Sequence, residues 1–131
     1  MVLKKHIRFT RPTDNLKEIK DMYIKGLDFE LLFEFQDHQG FDGVILGHPK
    51  EVYHLEFTHH RGTTVGKAPT KDNLIALYLP DLNEYNHQCK KLIEAGFKKV
   101  VSYNPYWDNN GSTYEDIDGY RIVLANISFD H

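Results

Sequence analysis

The sequence predicts a single α+β domain spanning residues 1–131, built from two tandem β-α-β-β-β units. Three observations support this fold class: the same order of strand and helix signals occurs twice, the residues that end strands and helices recur at nearly constant spacing, and the chain is short. Pro12 and Pro80 each end the first strand of a unit, and Gly26 and Gly96 each end a helix. A length of 131 residues is about one domain and is sufficient to bury a core.

The first unit is predicted to cover residues 1–58. Apolar and polar side chains alternate from Lys5 to Arg11, as in a strand, and Pro12 ends the alternation. Thr13 or Asp14 is expected to cap a helix that stops at Gly26. Three strands are predicted next, Asp28–Phe35, Phe41–Leu46 and Glu51–Phe57; the first would carry Phe29, Leu31, Phe33 and Phe35 on one face, and Phe29, Phe33 and Tyr23 are interpreted as core residues.

The segment 59–72 is polar, lacks periodicity and is predicted to be a linker between the units or a cover over a site. Its His59, His60 and Arg61 would then either reach a ligand or be solvated. Both interpretations are compatible with the composition of this segment.

The second unit is predicted to cover residues 73–131. It begins with a strand, Leu74–Leu79, followed by a helix that Asp81 caps. A strand, an irregular aromatic loop and a short strand lead to a turn at Asp118–Gly119. In the final strand Ile122 and Leu124 are expected to face the helix, while Val123 faces the opposite side of the sheet.

Composition excludes several classes of function. The net charge of −3 and the absence of a basic stripe disfavour nucleic-acid binding. The single cysteine, Cys89, excludes an internal disulfide and a cysteine-based zinc cluster, and its place in a predicted helix favours a buried, inert thiol. No signal-peptide pattern follows Met1 and no apolar run reaches the ~18 residues of a membrane helix. We therefore expect a cytoplasmic protein without a membrane partner.

Three features together carry a family resemblance. They are the paired units, the strand-Pro-Asp-helix junctions at residues 11–14 and 79–82, and the run Glu115–Ile122. On these features the chain resembles the glyoxalase / bleomycin-resistance / extradiol-dioxygenase superfamily, also called vicinal oxygen chelate proteins. The last run is similar to the aspartate-proline-aspartate-glycine turn of that superfamily, with Ile117 where proline is common. Some small bacterial members of obscure function share the run Asn104–Trp107.

The resemblance implies a fold in which the two sheets curl around a shared cleft, and it implies a homodimer. It also implies a divalent ion held by one residue from the first and one from the last strand of each unit, acting as a Lewis acid. His6 and Glu56 match these positions in the first unit. Leu74 and Val123 occupy them in the second unit, and their aliphatic side chains have no lone pair with which to bind a metal ion. We therefore expect no cofactor, with Ni, Co, Mn, Fe or Zn as the alternative.

Two arrangements of His6 and Glu56 are left open. In the first they hydrogen-bond across a polar pocket wall, together with Arg8. In the second His54, two residues from Glu56 on the same face of one strand, completes a two-histidine, one-carboxylate metal site.

The expected function is the binding of a small organic molecule in an aromatic-lined cleft that has an apolar wall opposite a polar wall. The alternative is a metal-dependent lyase, isomerase or dioxygenase that uses His6, Glu56 and a recruited donor. A third hypothesis is a metal-free enzyme in which Glu56 is the general base. The expected ligand-binding residues are Arg8, His54, Leu74, Tyr78, Tyr103, Tyr106, Trp107 and Val123.

Overall fold

A computed structural model describes residues 5–129 and shows two tandem β-α-β-β-β units, each with a four-stranded mixed sheet. In both sheets the first strand of the unit runs parallel to the last, and the other pairs are antiparallel. The predicted fold class is confirmed. The first compact unit contains the described residues up to Ile24 and Asp28–Gly66, and the second contains Lys25–Leu27 and the described residues from Lys67 onwards. Neither helix of the described chain has the length and hydrophobicity needed to cross a membrane.

In the sheet of the first unit the first strand pairs with the fourth, the fourth with the third and the third with the second, and one helix packs on this sheet. Ile19 and Tyr23 of this helix are buried, and the Tyr23 ring lies 4.8 Å from that of Phe57, measured between centroids. Leu46 and Leu55 complete this part of the core. The elements are β1 (Ile7–Pro12), α1 (Leu16–Leu27), β2 (Glu30–His38), β3 (Phe41–Gly47) and β4 (Tyr53–His60).

The start of α1 differs from the prediction that Thr13 or Asp14 caps it. Asn15 holds the N-cap position and its side chain makes no capping hydrogen bond. The Thr13 hydroxyl accepts a hydrogen bond from the Asn15 amide at 2.9 Å, outside the helix. The Asp14 carboxylate accepts hydrogen bonds from the amides of Val65 and Gly66 at 3.0 and 2.9 Å, so it fastens the segment that follows β4.

The end of α1 also differs from its prediction. The helix continues through Gly26 to Leu27, and Asp28 adopts the left-handed conformation, with φ 57°. A Cβ atom at Gly26 would lie 3.0 Å from side-chain atoms of both Leu92 and Phe97. Close packing within the second unit therefore accounts for this glycine, and the prediction that it stops the helix is wrong.

A bulge in β2 changes which face its side chains occupy. Leu31 pairs with Leu46, but Phe33 pairs with Ile45, and the register shifts between the two pairs. Since neighbouring residues of a strand point to opposite faces, Leu31 shares the helix-side face of Leu46 while Phe33 lies on the other face. The prediction that alternate residues from Phe29 to Phe35 share one face is therefore wrong.

The second unit follows its predicted order more closely. The Asp81 carboxylate accepts a hydrogen bond from the Glu84 amide at 3.1 Å, which confirms the predicted cap. Gly96, with φ 101°, follows the end of this helix as predicted. Residues 95–97 connect this helix to a strand of only three residues. The elements are β5 (Leu74–Tyr78), α2 (Leu82–Glu94), β6 (Lys98–Val100), β7 (Gly111–Glu115) and β8 (Arg121–Ala125), with a short 3₁₀ helix at Pro105–Asp108.

The turn before β8 is organised by Asp116. Its carboxylate accepts hydrogen bonds from the amides of Asp118 and Tyr120, at 2.8 and 3.1 Å. Gly119 takes the positive φ of 90° that this turn requires. Ile122 and Leu124 of β8 are then fully buried, in agreement with the predicted strand pattern.

A hydroxyl network lies between α2 and its sheet. The Ser112 hydroxyl is bonded to the hydroxyls of Tyr85 and Tyr114 at 2.8 and 3.0 Å, and it lies 3.6 Å from the Cys89 sulfur. Burial raises the pKa of both tyrosines, more strongly for Tyr114, because the phenolate would be poorly solvated here. Cys89 is thus a half-buried helix residue engaged in this network.

Candidate functional site

The sheet of the first unit carries α1 on one face and leaves the other accessible. We call this second face the open face. Strand pairing places Arg8 and Thr10 of β1 beside His54 and Glu56 of β4, and Ile45 of β3 beside Glu56. A pocket of about 510 Å³ lies here, and its lining residues are Arg8, Phe33, Phe35, His38, Ile45 and Glu56.

Glu56 is the half-buried carboxylate of this pocket. The Thr10 hydroxyl donates a hydrogen bond to its Oε1 atom at 2.8 Å, as expected for residues paired in adjacent parallel strands. Within residues 5–129, no other hydrogen bond or ion pair reaches this carboxylate. Its second oxygen therefore has lone pairs that a ligand could engage.

Arg8 supplies the positive charge of the pocket. Its side chain is exposed, and it makes no ion pair with any residue that the structure describes. A guanidinium group carries five N–H donors in a planar fork, a geometry suited to carboxylates and phosphates. The pocket therefore combines one cation and one anion on neighbouring strands.

Aromatic rings form the apolar part of the pocket. The centroids of Phe33 and Phe35 lie 6.2 Å apart, and 57% of the Phe33 side chain is exposed. The Phe35 ring covers Gly43, where an added Cβ would lie 2.3 Å from the ring. The absence of a side chain at Gly43 therefore leaves the space that the Phe35 ring occupies. Sequence reasoning missed Phe35, His38 and Ile45 as site residues, and it assigned Phe33 to the core.

The histidines proposed as metal ligands are placed differently. His6 immediately precedes β1, which begins at Ile7, whereas the family resemblance implies a ligand within the first strand. Its ring lies 5.1 Å from that of His54 between centroids. The His54 Nε2 atom donates a hydrogen bond to the His48 carbonyl at 3.1 Å, which leaves Nδ1 as the acceptor.

The donor set does not fit the metal site that the superfamily implies. Among residues 5–129, no group of three or more His, Cys, Asp or Glu side chains is arranged to hold a metal ion, so His6, His54 and Glu56 are not brought together as one site. The strand register gives the reason, since Thr10 lies beside Glu56 whereas His6 lies outside β1. Leu74 and Val123 offer no donor atoms.

The residues at the end of β4 have structural contacts. The His59 ring donates from Nδ1 to the Thr13 carbonyl at 3.0 Å, and the His60 ring stacks on Phe41 at 4.3 Å. Arg61 binds both oxygens of the Asp42 carboxylate, at 3.1 and 3.2 Å from Nε. The prediction that His59 and His60 belong to a linker is wrong, because β4 extends to His60.

Two carboxylates in this region have a lowered pKa. Hydrogen bonds from the Val65 and Gly66 amides lower the pKa of Asp14. The hydrogen-bonded Arg61 guanidinium, followed by the Asp37 amide, lowers the pKa of Asp42. In each case the charged carboxylate is the form that these donors stabilise.

The corresponding face of the second sheet is filled. Val123 and its strand partner Thr113 have no exposed surface. The Thr113 hydroxyl hydrogen-bonds to that of Ser102, which also donates to the Asp108 carboxylate at 2.8 Å. The segment between β6 and β7 is thereby tied to this face, and Val123 presents no surface to a ligand.

The charges on this second face are already paired. Arg121 is buried, and its Nε atom donates to the Glu115 carboxylate at 3.0 Å. Its Nη1 atom also reaches the Val101 carbonyl at 3.4 Å. Unlike Arg8, this arginine has its donors engaged within its own unit.

The other predicted ligand residues of the second unit lie on β5 or in the aromatic loop. Leu74 and Tyr78 are half-buried residues of β5. Tyr103 and Tyr106 are exposed, by 68% and 46%, and Trp107 is half-buried. The Tyr106 and Trp107 rings meet edge to face, with centroids 5.0 Å apart. The Asn104 side chain accepts from the Tyr106 amide and starts the 3₁₀ helix.

Both halves of the chain match known protein families. The YycE-like N-terminal domain matches residues 7–58, and the YycE-like C-terminal domain matches residues 72–126. YycE of Bacillus subtilis (strain 168), a protein without a characterised function, is 44% identical over 120 residues, which span 92% of this chain and 86% of YycE.

Solved structures support the same assignment. The crystal structure of Bacillus subtilis YycE, described as a candidate glyoxalase/fosfomycin resistance protein, has a TM-score of 0.86 at 43% identity and covers 94% of this chain and 90% of its own. Leishmania major glyoxalase I has a TM-score of 0.72 at 19% identity, covering 95% and 88% of the two chains. TnmS3 of Streptomyces sp. CB03234, an antibiotic binding protein, has a TM-score of 0.65 at 21% identity, covering 95% and 97%. The last two show similarity of fold alone.

Proposed function

The chain belongs to the YycE-like family, within the glyoxalase / bleomycin-resistance / extradiol-dioxygenase superfamily, and on that premise we propose that it binds a small organic molecule on the open face of its first unit. The observation that carries this proposal is the pocket of about 510 Å³, which combines exposed aromatic surface with one cation and one anion. Small-molecule sites commonly have this size and this mixture of apolar walls and few polar groups.

The energetic argument rests on the aromatic surface. Phe33 is a large apolar side chain that is 57% exposed on a sheet face where Phe35 and Ile45 are its neighbours. Covering roughly 100 Å² of such surface would contribute about 2–3 kcal/mol. Arg8 and Glu56 would then orient the ligand rather than supply most of its affinity.

Similarity of fold adds support of a limited kind. TnmS3 is an antibiotic binding protein with this fold, so the fold is compatible with small-molecule binding in that relative. The described residues contain no group of three or more His, Cys, Asp or Glu side chains placed to hold a metal ion, so the metal-dependent lyase, isomerase or dioxygenase has no comparable support. We therefore propose binding that needs no metal ion.

Thermal denaturation with a library of small aromatic and alicyclic compounds tests the proposal. Protein freed of metal by a chelator should gain melting temperature with at least one compound, because a ligand that binds only the native state stabilises it. Phe33→Ala should remove the gain. Phe41→Ala is the matched control, since Phe41 is an exposed phenylalanine of the same sheet that stacks on His60 outside the pocket.

A gain that survives Phe33→Ala would contradict the site. A gain that appears only with added Ni, Co, Mn, Fe or Zn, and is lost in His6→Ala or Glu56→Ala, would favour the metal-dependent enzyme instead. Turnover of the bound compound that is lost in Glu56→Gln without metal would favour Glu56 as a general base.

The homodimer and the cytoplasmic location expected from the sequence remain part of this proposal. The edge strand β1 exposes Ile7 by 38% and Phe9 by 60%, and such apolar surface often marks a protein interface. Light scattering coupled to size-exclusion chromatography should give twice the mass of the chain. Phe9→Ser should shift this value towards the monomer.

A further inference from the structure

We infer that the ligand of the open face is an aromatic hydroxy acid, with a carboxylate that Arg8 binds and a hydroxyl that donates to Glu56. This inference rests on the proposed function and adds the chemical class of the ligand. It follows from the charges of the pocket, from the state of their hydrogen bonds and from their separation.

The inference that the ligand carries a carboxylate rests on the guanidinium group of Arg8. Its guanidinium is exposed in the pocket and has no ion pair among residues 5–129, although Glu56 lines the same pocket. By contrast, Arg61 is bound to Asp42, and Arg121 is bound to Glu115. Arg8 therefore differs from these two arginines in having its planar fork available for a bidentate anion.

The inference that the ligand carries a hydroxyl rests on the carboxylate of Glu56. Its Oε1 atom accepts from Thr10, and its Oε2 atom has no hydrogen-bond donor in the described part of the chain. An ionised carboxylate only accepts hydrogen bonds, so a ligand group in contact with it must be a donor. A bare carboxylate placed against Glu56 would be repelled, which requires the anion to be directed towards Arg8.

The separation of the two side chains requires both groups to be close together on the ligand. Arg8 pairs with His54, two residues before Glu56 on the neighbouring strand. The spacings of a sheet then put the Cα atoms of Arg8 and Glu56 about 8 Å apart. Because both side chains are long, the gap between their ends suits a carboxylate and a hydroxyl on the same or adjacent carbon atoms.

The aromatic body follows from the rest of the pocket. Ile45 lies on β3, next to the strand of Glu56, and Phe33 and Phe35 lie on β2, one strand further along the same sheet. An apolar group attached to the carboxylate and hydroxyl of the ligand would therefore lie over them. Aromatic rings in offset or edge-to-face contact add to the affinity from buried area alone. A phenyl group carried one carbon away from the hydroxy acid matches these positions.

Isothermal titration calorimetry with three compounds of one aromatic body tests the inference. They are 3-phenyllactate, 3-phenylpropanoate, which lacks the hydroxyl, and 3-phenylpropane-1,2-diol, which lacks the carboxylate. We expect 3-phenyllactate to bind roughly tenfold more tightly than the diol and roughly fivefold more tightly than 3-phenylpropanoate. Arg8→Gln should remove the preference over the diol, and Glu56→Gln should reduce the preference over 3-phenylpropanoate.

The variants also separate this inference from the proposed function. Arg8 is exposed, so Arg8→Gln should fold, and circular dichroism checks this. Equal binding of acid and diol, or an unchanged preference in Arg8→Gln, would overturn the inference; if Phe33→Ala weakens all three compounds, the proposed function stands. If none of the three binds while another library compound does so through Phe33, the inference again fails alone. Failure of every compound would overturn both.

Discussion

The two units share one order of elements but use the helix-free faces of their sheets differently. In the first unit this face presents Arg8, Glu56 and exposed Phe33 around a pocket. In the second unit the equivalent face holds Val123 and Thr113, both fully buried. A duplicated architecture therefore gives one accessible pocket-bearing face and one filled face.

The connection between the second and third strands of each unit accounts for much of this difference. In the first unit, β2 and β3 are joined by a tight turn in which Gln39 and Gly40 adopt positive φ values of 52° and 88°. In the second unit β6 ends at Val100, and residues 101–110 fold back so that Ser102 bonds to Thr113. A short hairpin leaves its sheet face accessible, and a longer connection can cover it.

Exchanging the residues of the two last strands should have the largest effect. Val123→Glu would bury a carboxylate with no prepared partner, and we expect a loss of about 3–5 kcal/mol in the free energy of unfolding, or failure to fold. The reciprocal Glu56→Val removes a half-buried carboxylate with one hydrogen bond, from Thr10, and should cost about 1 kcal/mol or less. Urea unfolding of both variants measures the difference. Similar losses for the two would contradict the contrast between a filled and an accessible face.

Releasing the connection in the second unit should have an intermediate effect. Asp108→Ala removes the acceptor for the Ser102 amide and hydroxyl, at 3.1 and 2.8 Å, and we expect a loss of about 1–2 kcal/mol. Asn109→Ala, at the neighbouring exposed position, is the matched control and should change stability by less than about 0.5 kcal/mol. Equal losses would mean that the Asp108 contacts do not hold the segment on the sheet.

Alkaline pH should weaken the second unit through Tyr114. Burial raises the pKa of this tyrosine above its unfolded value, so its stabilising contribution is complete below the unfolded pKa of about 10 and is lost as pH rises towards the folded pKa. Tyr114→Phe should cost about 1 kcal/mol at neutral pH and should flatten the decline above pH 10. Tyr103→Phe, at an exposed position, should leave the alkaline profile unchanged, and an equal flattening there would contradict the assignment.

Acid pH should weaken the first unit, with the smallest effect. Asp14 and Asp42 have lowered pKa values, so their contribution is present above the unfolded pKa of 3.8 and is lost as pH falls through the folded pKa values. Asp42→Asn should make the melting temperature less dependent on pH below about 4. Asp21→Asn, on the exposed side of α1, serves as the control. A profile unchanged in Asp42→Asn would show that its pairing with Arg61 contributes little.

The sequence predicted the architecture well because the repeated order of elements depends on local signals. Asp81 caps α2 and Gly96 follows it, and both signals involve only neighbouring residues. The predictions were wrong at positions where contacts between residues far apart in the sequence determine the local structure. Asp14 bonds to Val65 and Gly66, far along the chain, and Gly26 is required by the packing of Leu92.

The candidate site was harder to predict for the same reason. The bulge between Leu31 and Phe33 reverses the face of the later side chains, and alternation along the strand alone gives no sign of it. Phe33 was consequently assigned to the core, although it is largely exposed. Strand register likewise places Thr10 beside Glu56, where sequence reasoning had paired Glu56 with His6. Glu56 was named from the family resemblance and Arg8 from its place on the alternating first strand, and both line the pocket.

Mapping the bound compound by nuclear magnetic resonance tests the central claim most directly. Chelator-treated protein labelled with ¹⁵N would be titrated with the library compound that raises the melting temperature most. We predict that the amide signals of Arg8, Phe33 and Ile45 shift on binding, while those of Thr113 and Val123 do not. Shifts centred on Thr113 and Val123, or no saturable shift without added metal, would contradict the claim that the first unit carries a metal-independent binding site.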